Sequence, residues 1–267
     1  MRKTLCTWLA ISFMACCVGL AHAQTAPRVV DIPTRPGVTQ RVLVLAPAEP
    51  KAVAILFTGG NGILQVADNG ELRQGKGNFL IRSRQMFVDQ GLMTVVVDAP
   101  SDRQTSPYLS GFRQTPEHLA DIKAVMAWVR TQTGVPVWLV GTSRGTQSSA
   151  FVATELSGDP GKAGPDGLVL TSTILSDERG RAVPNMPLGK LRIPVLVVHH
   201  EQDGCRLCSF SEIPRLMDQL TGAPRKQLLS FKGGNNRGDP CEAFAYHGFN
   251  GLEAEVVTQT VAWMLAK

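Results

Sequence analysis

Short apolar, β-branched runs recur along the chain, each separated from the next by a stretch with helical spacing, and this alternation limits the possible folds most. The runs cover residues 41–45, 53–57, 93–97, 137–140, 168–170, 193–198 and 227–231. A strand with one wet face alternates apolar and polar residues. These runs are predominantly apolar without that alternation, as strands buried on both faces of a mostly parallel sheet are. The clearest helix between them opens with Thr115 as cap and Pro116 in the first turn. It then sets Leu119, Ile122, Met126 and Val129 on one face and stops at Gly134. Further helices are predicted over 79–89, 144–156, 211–220 and 252–265. The expected fold is α/β, a mostly parallel central sheet flanked by helices.

A large cap domain is not expected. Only about twenty residues separate the runs ending near Thr173 and starting at Ile193, and they include Pro184, Pro187 and Gly189. The glycine-rich loop over 61–78 and the segment over 100–114 are the pieces that could overhang a site. An uncapped site suits small or mid-sized substrates.

The first residues form a separate signal. Arg2 and Lys3 precede an apolar run over residues 9–20 that ends in Ala21-His22-Ala23, the layout of a secretory leader cut after Ala23. The run falls short of the roughly 20 residues a spanning helix needs, so no stable membrane anchor is expected. Phe13 and Met14 stand where a lipoprotein leader needs a Leu-like residue, which argues against lipidation. The chain is expected to divide into a leader, residues 1–23, and one α/β domain, residues 24–267, located in the periplasm or outside the cell. The formal charge of the whole chain is +5, about two of which leave with the leader. The remaining basic residues are scattered and not interleaved with aromatics, so nothing points to nucleic acid. Oligomeric state is not legible.

Gly141-Thr142-Ser143-Arg144-Gly145 has the G-x-S-x-G pattern of a nucleophile elbow. Such a serine sits on a strained strand-to-helix turn, and Gly141 and Gly145 let strand and helix approach it closely. The context fits: an apolar strand leads in and a helical segment follows. A serine hydroxyl is a poor nucleophile near neutral pH, so it needs a base, and the base needs an orienting acid. His118 falls inside the amphipathic helix, where packing or solvation is its expected role. His199 and His200 end a strand and are expected to brace the turn after it. His247, in the loop between the last strand and the last helix, is the candidate base. Asp203, followed by Gly204 just after the run 193–198, is the candidate acid, with Asp177 as runner-up. Stabilising a tetrahedral oxyanion takes two convergent backbone amides. One is expected from Arg144. The other should come from Thr58-Gly59-Gly60-Asn61-Gly62, with Gly60 the first choice and Asn61 the second.

With these motifs the chain resembles the α/β-hydrolase superfamily over its whole length after the leader. Gly59 to Gly62 look like that family's oxyanion loop, with Thr58 where a histidine is common. Both small esterase-like and dienelactone-hydrolase-like members share these features. The resemblance implies hydrolysis of an ester, thioester or amide through an acyl-enzyme on Ser143, with a small acyl substrate and no cofactor. Acyl transfer or peptide hydrolysis on the same site, or a non-catalytic binding protein of this fold, are the rival readings.

Cys205, Cys208 and Cys241 follow the leader. An oxidising compartment favours one disulfide and one odd thiol. If the loops of Asp203 and His247 converge, Cys205 and Cys241 are the expected pair, with Cys208–Cys241 as the alternative. A zinc site on Cys205-x-x-Cys208 with Cys241 and a histidine is the competing use, and no metal is expected.

Overall fold

A computed structural model describes residues 26–157, 164–178 and 180–266. The expected leader and its cleavage position lie outside the described residues. Among the described residues no helix is long and apolar enough to cross a membrane.

Eight strands form one sheet: β1 (Arg28–Arg35), β2 (Val38–Leu45), β3 (Ala52–Phe57), β4 (Leu92–Val97), β5 (Val137–Thr142), β6 (Gly167–Thr171), β7 (Val195–His200) and β8 (Lys226–Phe231). Their order is β1-β2-β4-β3-β5-β6-β7-β8. β1 pairs with β2 and β2 with β4 antiparallel, while β4, β3 and β5 to β8 run parallel. The helices are α1 (Phe79–Arg82), α2 (Arg84–Asp89), α3 (Pro116–Gln132), α4 (Gly145–Glu155), α5 (Ile213–Gln219) and α6 (Glu253–Leu265).

Period-two alternation along the inner strands divides the core into two layers. Val53, Ile55 and Phe57 of β3 face Ile122, Met126 and Val129 of α3 and Ala150 and Val152 of α4. Ala52, Ala54 and Leu56 face the opposite layer, with Phe87 and Val88 of α2 and Val256, Val257 and Val261 of α6. Burial on both faces explains why these strands read as unbroken apolar runs. β1 escaped notice because it is an edge strand: Asp31, Pro33 and its two arginines break the pattern, and most of its residues remain partly exposed.

Other boundaries differ from expectation as well, and β2 begins at Val38, three residues before its predicted run. The helix predicted over 79–89 is interrupted at Ser83, whose hydroxyl donates to the Phe79 carbonyl. α5 is preceded by a single 3₁₀ turn over Phe210–Glu212. β7 begins two residues late, after Pro194, and extends through both histidines. Among the described residues between β6 and β7 only two one-turn helices occur, at Val183–Asn185 and Leu188–Lys190, and no cap domain stands there.

Candidate active site

Every candidate residue leaves the carboxyl end of a parallel strand, where open α/β sheets form their crevice. Ser143 follows β5, Thr58 to Gly62 follow β3, Asp203 follows β7, and His247 lies between β8 and α6.

Ser143 has φ +51°, a left-handed conformation that costs about 1–2 kcal/mol in a non-glycine residue. Its surroundings hold it there. The Ser143 amide donates to Thr171 O at 3.0 Å, and Ser143 O accepts from both the amide and the hydroxyl of Thr146. A Cβ on Gly145 would strike the carbonyls of Phe57 and Thr58, and one on Gly141 would strike Ser149 Oγ and the Gly145 carbonyl. Gly59 meets Ser143 itself, since a Cβ there would lie 2.9 Å from Ser143 Cβ. Gly60, with φ +56°, has open space instead. Gly59 therefore allows the close approach and Gly60 the turn. The amides of Gly60, Asn61 and Arg144 donate to no acceptor among the described residues.

On the opposite side, His247 Nδ1 lies 2.8 Å from Asp203 Oδ2, with both groups buried. Asp203 Oδ1 accepts from the Cys205 amide at 2.9 Å. A carboxylate oxygen facing Nδ1 fixes that nitrogen as the protonated one and leaves Nε2 as an acceptor. Nε2 is buried without a hydrogen-bond partner. His247 and Ser143 line one cleft of about 410 Å³, shared with Gly60, Asn61 and the half-exposed Phe244 ring.

Cys205 and Cys241 are joined by a disulfide, with a Cα–Cα separation of 4.4 Å. It ties the loop of Asp203 to the loop of His247. Cys208 is the buried free thiol, and burial pushes it well above the usual thiol range. Ligand atoms of Cys205, Cys208 and His247 lie within 4.8 Å of one another. They do not suit a metal ion, because Cys205 Sγ is in the disulfide and Nδ1 of His247 faces Asp203.

The other candidates have separate tasks. Asp177 accepts from Arg144 Nη1 and Gln147 Nε2, each at 2.9 Å. His199 Nε2 donates to the Cys208 carbonyl at 2.7 Å and lies 3.5 Å from Asp203, while burial lowers its pKa and keeps it neutral. His200 Nδ1 accepts from the Gln202 amide, and its ring stacks on Tyr246. His118 is buried against Phe57 and Phe112. Burial, helped by the Arg113 and Arg35 charges, pulls its pKa down to about 3.

Two residues with no mark in the sequence hold the segment over 58–66. Asp98, at the end of β4, accepts from the amides of Leu64, Gln65, Val66 and Ala99. Arg113 reaches in from the loop before α3 and donates to Thr58 O at 3.0 Å, Gly60 O at 3.1 Å and Ser148 Oγ at 3.0 Å. Nothing marked Arg113 apart from its place in the overhanging segment.

No protein-family model matches the chain, and no curated protein matches it in sequence. Solved structures do resemble it. An α/β serine hydrolase homologue from Coxiella burnetii is 19% identical with a TM-score of 0.60, over 90% of this chain and 97% of that one. A serine hydrolase without a lid from Xanthomonas campestris is 16% identical with a TM-score of 0.57, over 88% and 95%. A dienelactone hydrolase from Anabaena variabilis is 12% identical with a TM-score of 0.57, over 90% and 95%. At these identities the likeness establishes architecture: the chain has the α/β-hydrolase fold.

Proposed function

We propose that the protein is an exported serine hydrolase that cleaves an ester-type acyl bond through Ser143, His247 and Asp203. The observation that carries this reading is the pairing of His247 Nδ1 with Asp203 Oδ2 while Nε2 is left unpartnered in the cleft that Ser143 also lines. In the apo state such contacts are often open and close only around substrate.

The steps follow from these atoms. Ser143 Oγ attacks the acyl carbon as its proton passes to His247 Nε2, and the carbonyl π pair moves onto oxygen. That oxyanion is met by the amide of Arg144 and by that of Gly60 or Asn61, whose hydrogen bonds are otherwise unspent. Asp203 holds the imidazole tautomer and stabilises the imidazolium. Collapse of the intermediate breaks the bond to the leaving oxygen, which takes the proton from Nε2. Water then repeats the cycle: its proton goes to Nε2, its oxygen attacks the acyl-enzyme, and Ser143 leaves reprotonated.

Alkyl esters of increasing acyl length, run beside peptide and thioester substrates and with and without an acceptor alcohol, test the reading. Ester hydrolysis that dominates the panel and disappears in Ser143→Ala supports it. Dominant acyl transfer or peptide cleavage would move the function to another acyl chemistry. Failure to turn over any substrate would favour a binding protein. Export rests on the leader pattern, and an intact mass beginning at Gln24 in periplasmic protein is the expected result.

A further inference from the structure

A second recess, of about 290 Å³, adjoins the Ser143 cleft. Gly60 and Asn61 form a wall common to both, and Arg113, Gln114, Arg144 and Asp177 complete the chemistry of the recess. Arg113 is only 6% exposed, and among the described residues its donors meet only neutral acceptors. Burial and the neighbouring Arg144 charge lower its pKa to about 9, which leaves it a cation at neutral pH. Arg144 is the residue after the nucleophile and is paired with Asp177. Among the described residues the recess thus sets two guanidinium groups against one carboxylate. A buried cation without an anion is unfavourable, and an anionic group entering beside it would offset that cost.

The placement of His247 decides which part of a substrate reaches this recess. The leaving oxygen must take its proton from His247 Nε2, so the alcohol portion occupies the cleft that His247 lines. His247 does not line the second recess. The acyl chain, held at its carbonyl by the amides of the common wall, is the portion that extends toward Arg113 and Arg144.

We propose that this recess binds a carboxylate at the far end of the acyl chain, so that the preferred substrates are monoesters of short dicarboxylic acids. The inference rests on the serine hydrolase reading and adds the substrate class. A guanidinium–carboxylate contact of this kind is charge-assisted and geometrically selective.

The test compares each monoethyl dicarboxylate, succinate through adipate, with the neutral ester in which an isopropyl group replaces the carboxylate. Acid release is followed in a pH-stat. Wild-type protein should favour at least one hemiester by about tenfold or more in kcat/KM, the equivalent of one good charge-assisted bond. Arg144→Gln should cut that ratio by about fivefold or more, and Arg144→Lys, which keeps the charge without the planar fork, should restore part of it. Asp177→Asn, which removes the competing carboxylate, should raise the ratio. Equal turnover of charged and neutral esters in wild-type protein, or a ratio unaffected by Arg144→Gln, would overturn the proposal. Calorimetric titration with glutarate reads the recess without catalysis. Glutarate binding weakened by Arg144→Gln supports the subsite even if no ester is cleaved, and absence of binding counts against it. Labelling of Ser143 by a fluorophosphonate is unaffected by either outcome and reports on the hydrolase reading alone.

Discussion

The two arms of the candidate site are held in position by different means. The nucleophile arm depends on backbone fit. Ser143 is kept at positive φ by a turn in which Gly141, Gly145 and Gly59 leave no room for a Cβ, and Arg113 and Asp98 pin the loop opposite. The acid–base arm depends on side chains and a covalent tie. Asp203 and His247, 44 residues apart, meet through one hydrogen bond, and the Cys205–Cys241 disulfide links their loops. An elbow can be shaped by five consecutive residues, whereas an acid and a base from separate loops need something to hold the loops together. A small added volume should therefore damage the first arm, and loss of a single polar atom or of the crosslink should damage the second.

The largest effect is expected at the acid. Asp203→Asn should lower kcat by about 10⁴-fold with the fold intact, because an amide cannot hold the working imidazole tautomer. Asp177→Asn should cost a neutral ester less than about tenfold, since Asp177 bonds to Arg144 and Gln147. Equal losses from both, measured by steady-state kinetics, would break the division between the arms.

The crosslink comes next. Cys205 and Cys241 are 36 residues apart, and closing such a loop stabilises by about 3–4 kcal/mol on the chain-entropy account. Reduction, or Cys241→Ser, should lower Tm and kcat together. Thermal melts beside rate measurements check this, and a fall in Tm with unchanged kcat would show that the tie does not position the base.

The nucleophile arm is probed by volume. Gly145→Ala should cost about 2–3 kcal/mol, since its methyl must displace the backbone of Phe57 and Thr58. It should also lower kcat, whereas Gly134→Ala, with open space around it, should be close to silent. Denaturant unfolding distinguishes the two.

A smaller effect belongs to the core around Phe57 and Phe112. His118 is buried with its folded pKa near 3, below the ordinary value of 6.5, so the unfolded chain takes up the proton first. Stability from this residue is full above pH 6.5 and declines as pH falls toward 3. Between pH 7 and 5 the loss is about 2 kcal/mol. His118→Phe should flatten that part of the acid limb in pH-dependent unfolding, and an unchanged limb would assign the acid sensitivity elsewhere.

What the sequence made legible follows the same division between local and distant constraints. The elbow and the parallel strands could be read because each is set by neighbours in the chain: glycines two residues either side of Ser143, and apolar residues on both faces of the inner strands. β1 could not, because an edge strand with one wet face tolerates Asp31 and Pro33. Arg113 was invisible because its burial depends on carbonyls of Thr58 and Gly60, more than fifty residues away. Asp98 was equally hidden, because its bonds to the amides of residues 64–66 have no local signature. The break at Ser83 depends on one hydroxyl returning to the Phe79 carbonyl, a choice that apolar spacing does not record.

The central claim is that Ser143 is a nucleophile activated by His247 and Asp203. Its most direct test is reaction with a fluorophosphonate, followed by peptide mapping and by kinetics of Ser143→Ala. A single adduct is predicted on Ser143, with labelling lost in the Ala variant and kcat reduced at least about a thousandfold. An adduct on a different residue, or an Ala variant that keeps more than about a thousandth of wild-type kcat, would contradict the account.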